Sequence, residues 1–216
     1  AMWALGRKQE AFDHFQNAVA MQPGQAEAHY HLGLMLEEQN QLRAAEQEYE
    51  KALRANPESF EAHNNLGVGW MNSNRLEEAA ASYQRALAIR PDYVEAHGNL
   101  GITRAKQNRP HEAEHCYSNT IALDASFSEA HCNRAFSLLL MGRSSEGWEE
   151  DEWRWKRPHR AQPVLPTPRW NGEPLAGRTI LLRSEQGFGD VLQFIRYATL
   201  VKQQGASVIV DCHPSL

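Results

Sequence analysis

The sequence predicts a mostly α-helical fold: a superhelix of about four and a half stacked helix hairpins, then the opening strand–helix–strand of an α/β domain. Three observations predict it. Pro23, Pro57 and Pro91 stand 34 residues apart, and a pattern of small and aromatic residues keeps the same period. Five of the ten prolines crowd into residues 158–178. Beyond them a short apolar run, a glycine-containing loop, a helical stretch and a second apolar run succeed one another, the order of a βαβ unit.

Aligned on the 34-residue period, Ala11, Ala45, Ala79 and Ala113 fall on one position. Phe15, Tyr49, Tyr83 and Tyr117 fall on another, Ala18, Ala52 and Ala86 on a third, and Leu32-Gly33, Leu66-Gly67 and Leu100-Gly101 mark the front of each unit. This spacing resembles the tetratricopeptide repeat. The resemblance implies a superhelix of two-helix units that serves as a scaffold for binding other proteins. The units are a partial one at 1–25, then 26–59, 60–93 and 94–127, and a degenerate one at 128–157.

Within the third unit the pattern places one helix over 60–72 and another over 76–89, with Asn74-Arg75 between them. Gly6-Arg7, Asn40-Gln41, Asn108-Arg109 and Gly142-Arg143 repeat that turn; Asn and Gly suit it because they tolerate left-handed backbone angles. Pro110 falls in the first turn of its helix, where no N–H is needed. Pro57 and Pro91 disfavour helical geometry in the residue before them and so separate the units. Gly33, Gly67 and Gly101 are expected to face Ala45, Ala79 and Ala113 across each hairpin, with the tyrosines filling the space between units. No unit buries its apolar face alone, so stability comes from stacking.

The fifth unit keeps Ala130 and Asn133, but Ala135 replaces the glycine, Gly147 the second-helix alanine and Asp151 the aromatic. Trp148, Trp153 and Trp155 read as a docking surface for the segment C-terminal to them. Residues 158–178 read as a semi-rigid, extended linker. Residues 179–183 then read as a buried strand, 184–190 as a loop, 191–204 as a helix and 207–212 as a second strand. Two parallel strands do not stand alone, so 179–216 is expected to begin a larger domain. Residues 1–5 read as the tail of a helix whose earlier part has been cut off.

Net charge is −5, which argues against nucleic acid as the main partner. No apolar run approaches the length of a membrane span. No signal peptide is visible. Cys116, Cys132 and Cys212 share no short spacing, so neither a disulfide framework nor a zinc site is expected; a reducing, cytoplasmic setting fits best.

Four groups of residues are candidate sites. Asn65, Asn99 and Asn133, with His31 in the same place one unit earlier, lie on the first helix of each unit. A primary amide has two donors and an acceptor oxygen, which suits an extended peptide backbone. The run Ala62-His63-Asn64-Asn65-Leu66-Gly67 resembles repeats of the O-linked N-acetylglucosamine transferase family, where an asparagine ladder holds extended polypeptide. The other reading is that each amide bonds a neighbouring helix. Glu27, Glu61, Glu95 and Glu129 recur beside this face, as a preference for basic segments or as favourable charges at helix N-termini. His29, His63, His97 and His131 also stand 34 apart. Stacked helices sit about 8–10 Å apart, whereas zinc needs each nitrogen at about 2.0–2.1 Å, so these read as structural. His111-Glu112-Ala113-Glu114-His115 matches a zinc-protease motif, yet the repeat period already explains it, with Ala113 as a packing position.

The loop at 184–190 offers Gly187 and Gly189 directly before a helix, where backbone N–H groups hold anions. Together with residues 170–182 and Gly189-Asp190-Val191-Leu192 it resembles bacterial proteins that join such repeats to a glycosyltransferase domain similar to the ADP-heptose heptosyltransferases, built of two Rossmann-like halves. That resemblance implies Asp190 as the base for an acceptor hydroxyl and a nucleotide-sugar donor for a full-length protein. Arg196 and its neighbours stand where the family has a proline. Asp190 equally suits an N-cap. Transferases of that family bind the donor mainly through the second half, so the resemblance implies that residues 1–216 alone hold no cofactor and are catalytically silent.

Overall fold

The computed structural model describes residues 7–157, 168, 170–183 and 195–211. The chain divides into two compact units, within residues 1–162 and 163–216.

The first unit is a superhelical stack of helix hairpins. α1 (Lys8–Met21) closes the partial repeat. Then come α2 (Ala26–Glu38) with α3 (Leu42–Ala55), α4 (Phe60–Asn72) with α5 (Leu76–Ile89), and α6 (Val94–Lys106) with α7 (Pro110–Leu123). α8 (Ser128–Leu140) and the short α9 (Ser144–Asp151) end in a 3-10 turn at Glu152–Lys156.

Each hairpin turns where the period places it. Asn40, Asn74 and Asn108 have φ of 58°, 58° and 57°, and Gly142 has 76°. The following N–H reaches back five residues, Gln41 to Leu36 O at 2.8 Å and Arg75 to Trp70 O at 2.8 Å, which satisfies a carbonyl the helix end would otherwise orphan. Pro110 opens α7. Ser59 caps α4 by accepting from the Ala62 N–H.

Packing inside the hairpins departs from the sequence expectation in one respect. A Cβ on Gly33, Gly67 or Gly101 would lie 2.5, 2.7 or 2.5 Å from Cε1 of Tyr49, Tyr83 or Tyr117. The glycines therefore make room first for the tyrosine rings, whose edges are the nearest atoms to each of them. The same rings pack onward: Tyr49 clusters with Leu66, and Tyr83 with Leu100, of the next hairpin. First helices of successive hairpins approach one another, α4 with α6 and α6 with α8, more closely than second helices do. The first helices therefore form the inner row of the stack.

In the second unit β1 (Thr179–Arg183) and β2 (Ser207–Asp211) pair in parallel, Thr179 opposite Ser207 and Arg183 opposite Asp211. Between them lie a 3-10 turn at Ile195–Tyr197 and α10 (Ala198–Gln203). Leu175, Ile180 and Ala206 form its small core. Among the described residues no helix is long and apolar enough to cross a membrane.

Candidate binding faces of the helical stack

The inner face is built from two neighbouring positions on each first helix. Asn65 Nδ2 donates to the Tyr30 hydroxyl at 3.4 Å, joining α4 to α2. Asn99 Nδ2 donates to Asn64 Oδ1 at 3.1 Å, joining α6 to α4. Both bonds span 35 residues, so one geometry recurs at successive interfaces. The next partner in that register is Gly98, which has no side chain, and an added Cβ there would meet only Thr120 Oγ1 at 4.0 Å. Asn133 consequently keeps its side-chain amide without a partner among the described residues. His31 does not continue the series: its ring stacks on Phe15 at 5.0 Å and its Nε2 lies 3.8 Å from Glu27.

On α8 the free amide has apolar company. Phe136 and Leu140 are 61% and 58% exposed, and positions three and seven residues beyond Asn133 share its helical face. Tyr30, Asn64 and Phe136 are inner-face residues that the sequence pattern did not single out. Tyr30 and Asn64 sit next to the asparagine series, and only their offset of 35 would have marked them.

The inner row is also acidic. Burial, then the Glu61 carboxylate, raise the Tyr30 hydroxyl pKa. Burial and Glu95 push Tyr93 up to about 12. Tyr49 is pushed up by burial and by donating to Glu37 at 2.8 Å. A phenol beside carboxylates resists ionising because a second negative charge would be repelled.

The histidine series has a structural use. Nε2 of His29, His63, His97 and His131 lies 3.0, 3.0, 2.9 and 3.1 Å from the carbonyl six residues earlier, on Pro23, Pro57, Pro91 and Ala125. Each ring thus ties the start of one unit to the close of the last. The other ring nitrogen differs between units. His29 Nδ1 meets Glu48 at 2.6 Å, and His131 Nδ1 meets Glu150, which Arg134 also contacts at 2.6 Å. His63 Nδ1 is buried with no partner, and burial lowers the His63 pKa.

Among the described residues no group of three or more His, Cys, Asp and Glu side chains is placed to hold a metal ion. In the protease-like motif Ala113 is fully buried, while Glu112 pairs with Arg104 at 3.1 Å and Arg109 at 3.6 Å. Of the tryptophans, Trp148 is exposed, but Trp153 stacks on His131 with ring centroids 3.6 Å apart. The latter closes the last hairpin. Asp190, Gly187 and Gly189 lie outside the described residues.

Comparison with known proteins agrees with this architecture. Protein FlbA of Caulobacter vibrioides is 40% identical over 63 residues, a stretch covering 28% of this chain and 11% of FlbA. The chain therefore spans only a small part of that curated relative. Among solved structures, MamA superposes with a TM-score of 0.67 at 19% identity, covering 72% of this chain and 91% of MamA. YrrB, described as a TPR protein with an unusual peptide-binding site, superposes with a TM-score of 0.64 at 19% identity, over 72% of this chain and 80% of YrrB. PilF of Pseudomonas aeruginosa gives 0.65 at 17% identity, over 94% of this chain and 82% of PilF. At these identities the likeness is one of fold. Family models described as "Tetratricopeptide repeat" match residues 1–48, 36–94 and 71–132, and the chain belongs to the tetratricopeptide repeat family.

Proposed function

We infer that this protein is an interaction scaffold whose inner face binds an extended polypeptide. The observation that supports this best is the break in the inter-helix amide series at Gly98, which leaves the Asn133 amide unpartnered, among the described residues, beside exposed Phe136 and Leu140. An amide held on a helix satisfies a peptide N–H and C=O together, and a neighbouring phenyl ring takes one apolar side chain. The carboxylates of Glu27, Glu61 and Glu95 along the same row favour basic residues further along the ligand. YrrB's description as a peptide binder agrees with this reading. The test is selection of peptides from a random display library on the whole chain, followed by titration. Asn133→Ala and Phe136→Ser are expected to weaken the selected peptides at least ten-fold. Unchanged affinity in both variants would move the ligand off this face.

A second reading takes the chain as part of a nucleotide-sugar-dependent glycosyltransferase whose repeats present a protein acceptor. It is favoured by the parallel β1–β2 pairing around α10, the arrangement with which a Rossmann-like half begins. In a longer protein containing these residues, Asp190→Asn should abolish sugar transfer; an unaffected rate would return Asp190 to helix capping.

A further inference from the structure

Two clefts lie where successive hairpins meet, away from the asparagine series. One, of about 490 Å³, is lined by Pro23, His29 and Lys51; the other, of about 510 Å³, by Pro57, His63 and Arg85, each 34 residues further on. They are the same place in two consecutive repeats, so differences between them isolate what single residues do.

In the first cleft a carboxylate sits between the ring and the cation. Glu48 meets His29 Nδ1 at 2.6 Å and accepts from Lys51 Nζ at 2.6 Å. In the second cleft Ser82 occupies the position of Glu48, and its hydroxyl donates to the His63 carbonyl oxygen at 2.9 Å instead of reaching the ring. Three groups remain unengaged there. His63 Nδ1 has no hydrogen-bond partner although the residue is only 6% exposed. The Trp70 indole N–H, in the same cleft, is buried and unpartnered as well. Arg85 has no carboxylate partner among the described residues. Buried polar atoms without partners are uncommon in folded proteins, and here two of them line one cleft.

We propose that the cleft between α3, α4 and α5 binds an organic carboxylate carried on an apolar body. Its carboxylate takes the place that Glu48 fills one repeat earlier, between His63 Nδ1 and Arg85. Leu53, Leu66 and Ile89 line the rest of the cleft and receive the apolar body; the volume is that of a small-molecule or single-side-chain site. The charged lining groups are Arg85 and Glu78, both from α5, while α3 contributes Leu53 and the turn before α4 contributes Pro57. Glu78 is already paired with Arg75 at 3.1 Å, so the unbalanced charge is positive.

Binding should move a proton. His63 Nε2 must carry its hydrogen to donate to Pro57 O, and burial favours the neutral ring, so Nδ1 is bare. A carboxylate brought against bare nitrogen is repelled until one proton from solvent occupies Nδ1. The product is an imidazolium–carboxylate pair beside Arg85, formed with uptake of one proton.

The experiment is calorimetric titration of the whole chain with 3-phenylpropanoate and with a tetrapeptide ending in a free phenylalanine carboxylate, the amide of each serving as control. At least one acid is expected to bind ten-fold or more tightly than its amide, more tightly at pH 6 than at pH 8, with heats that vary with buffer ionisation enthalpy. Whichever acid binds more tightly names the source of the carboxylate. Ser82→Glu should abolish binding and raise Tm, because the chain then supplies its own carboxylate. The exposed Arg85→Gln should weaken binding several-fold at unchanged Tm. Absence of binding by both acids at millimolar concentration, equal binding of acid and amide, absence of proton uptake, or wild-type affinity in folded Ser82→Glu would each overturn the proposal. Peptide binding at Asn133 is measured separately, so either proposal can fail alone.

Discussion

Gly67 and Tyr83 occupy one volume: a Cβ on Gly67 would lie 2.7 Å from Tyr83 Cε1, inside van der Waals contact with a ring that is fully buried. Two effects oppose each other in Gly67→Ala. Alanine favours the helix by about 0.8–1 kcal/mol over glycine, whereas overpacking a dense core costs about 1–3 kcal/mol. The ring is fully buried in the stack, where overpacking outweighs the helix preference. Gly67→Ala is expected to lower stability by about 1–2 kcal/mol in urea unfolding. Adding Tyr83→Leu should cost less than the sum of the two single changes, since the pair shares one contact.

His63 gives the fold an acid-sensitive point. Burial holds its folded pKa below the ordinary value of 6.5, so the unfolded chain binds protons first as pH falls. The stabilisation from keeping this ring neutral is complete above the unfolded value and is lost as pH drops through the folded one. The urea midpoint should therefore fall between pH 7 and pH 5. In His63→Gln that fall should be shallower, with a lower plateau at neutral pH from the lost bond to Pro57. Parallel pH profiles of the two proteins check this.

Glu48 titrates in the opposite sense. Burial pushes its pKa up, but hydrogen bonds from Lys51 and His29 outweigh that and leave the carboxyl below its usual range. Its contribution is present above the unfolded carboxylate pKa and lost as pH falls through the lowered one. Glu48→Gln keeps the shape but removes the charge, and should cost about 1–3 kcal/mol at pH 7, shrinking below pH 4. Denaturation at both pH values measures it.

The last hairpin depends on Trp153. Its ring covers His131, Lys156 Nζ lies 3.4 Å from its centroid, and Glu150 links His131 to Arg134. Trp153→Ala should remove roughly 2 kcal/mol of burial. In a stack with nearest-neighbour coupling the loss stays local. Amide exchange should accelerate in α8 and α9 and remain unchanged in α4 and α5.

Much of the architecture was legible in the chain. The 34-residue period placed helices at Phe60–Asn72 and Leu76–Ile89 where the structure has them, and the asparagines at 40, 74 and 108 adopt the left-handed angles their position demanded. These features are local, because helix ends and turns depend on residues within about five positions. The paired strands at 179–183 and 207–211 were legible from their apolar runs in the same way. The glycine partners were not: alanine and tyrosine both come after each glycine at fixed offsets, and the period treats them alike.

The period alone establishes that equivalent positions recur every 34 residues and which residue types stand at each. Which atoms touch is settled in the folded stack. The asparagines of one period divide into two that bridge helices and one, opposite Gly98, that does not. The histidines divide by what stands 19 residues on: Glu48 and Glu150 fill the ring's second nitrogen, while Ser82 leaves it bare. A periodic sequence specifies the frame in common, but hydrogen bonds form or fail within a few tenths of an ångström. That margin is set by how closely two helices pack, a property of the assembled stack.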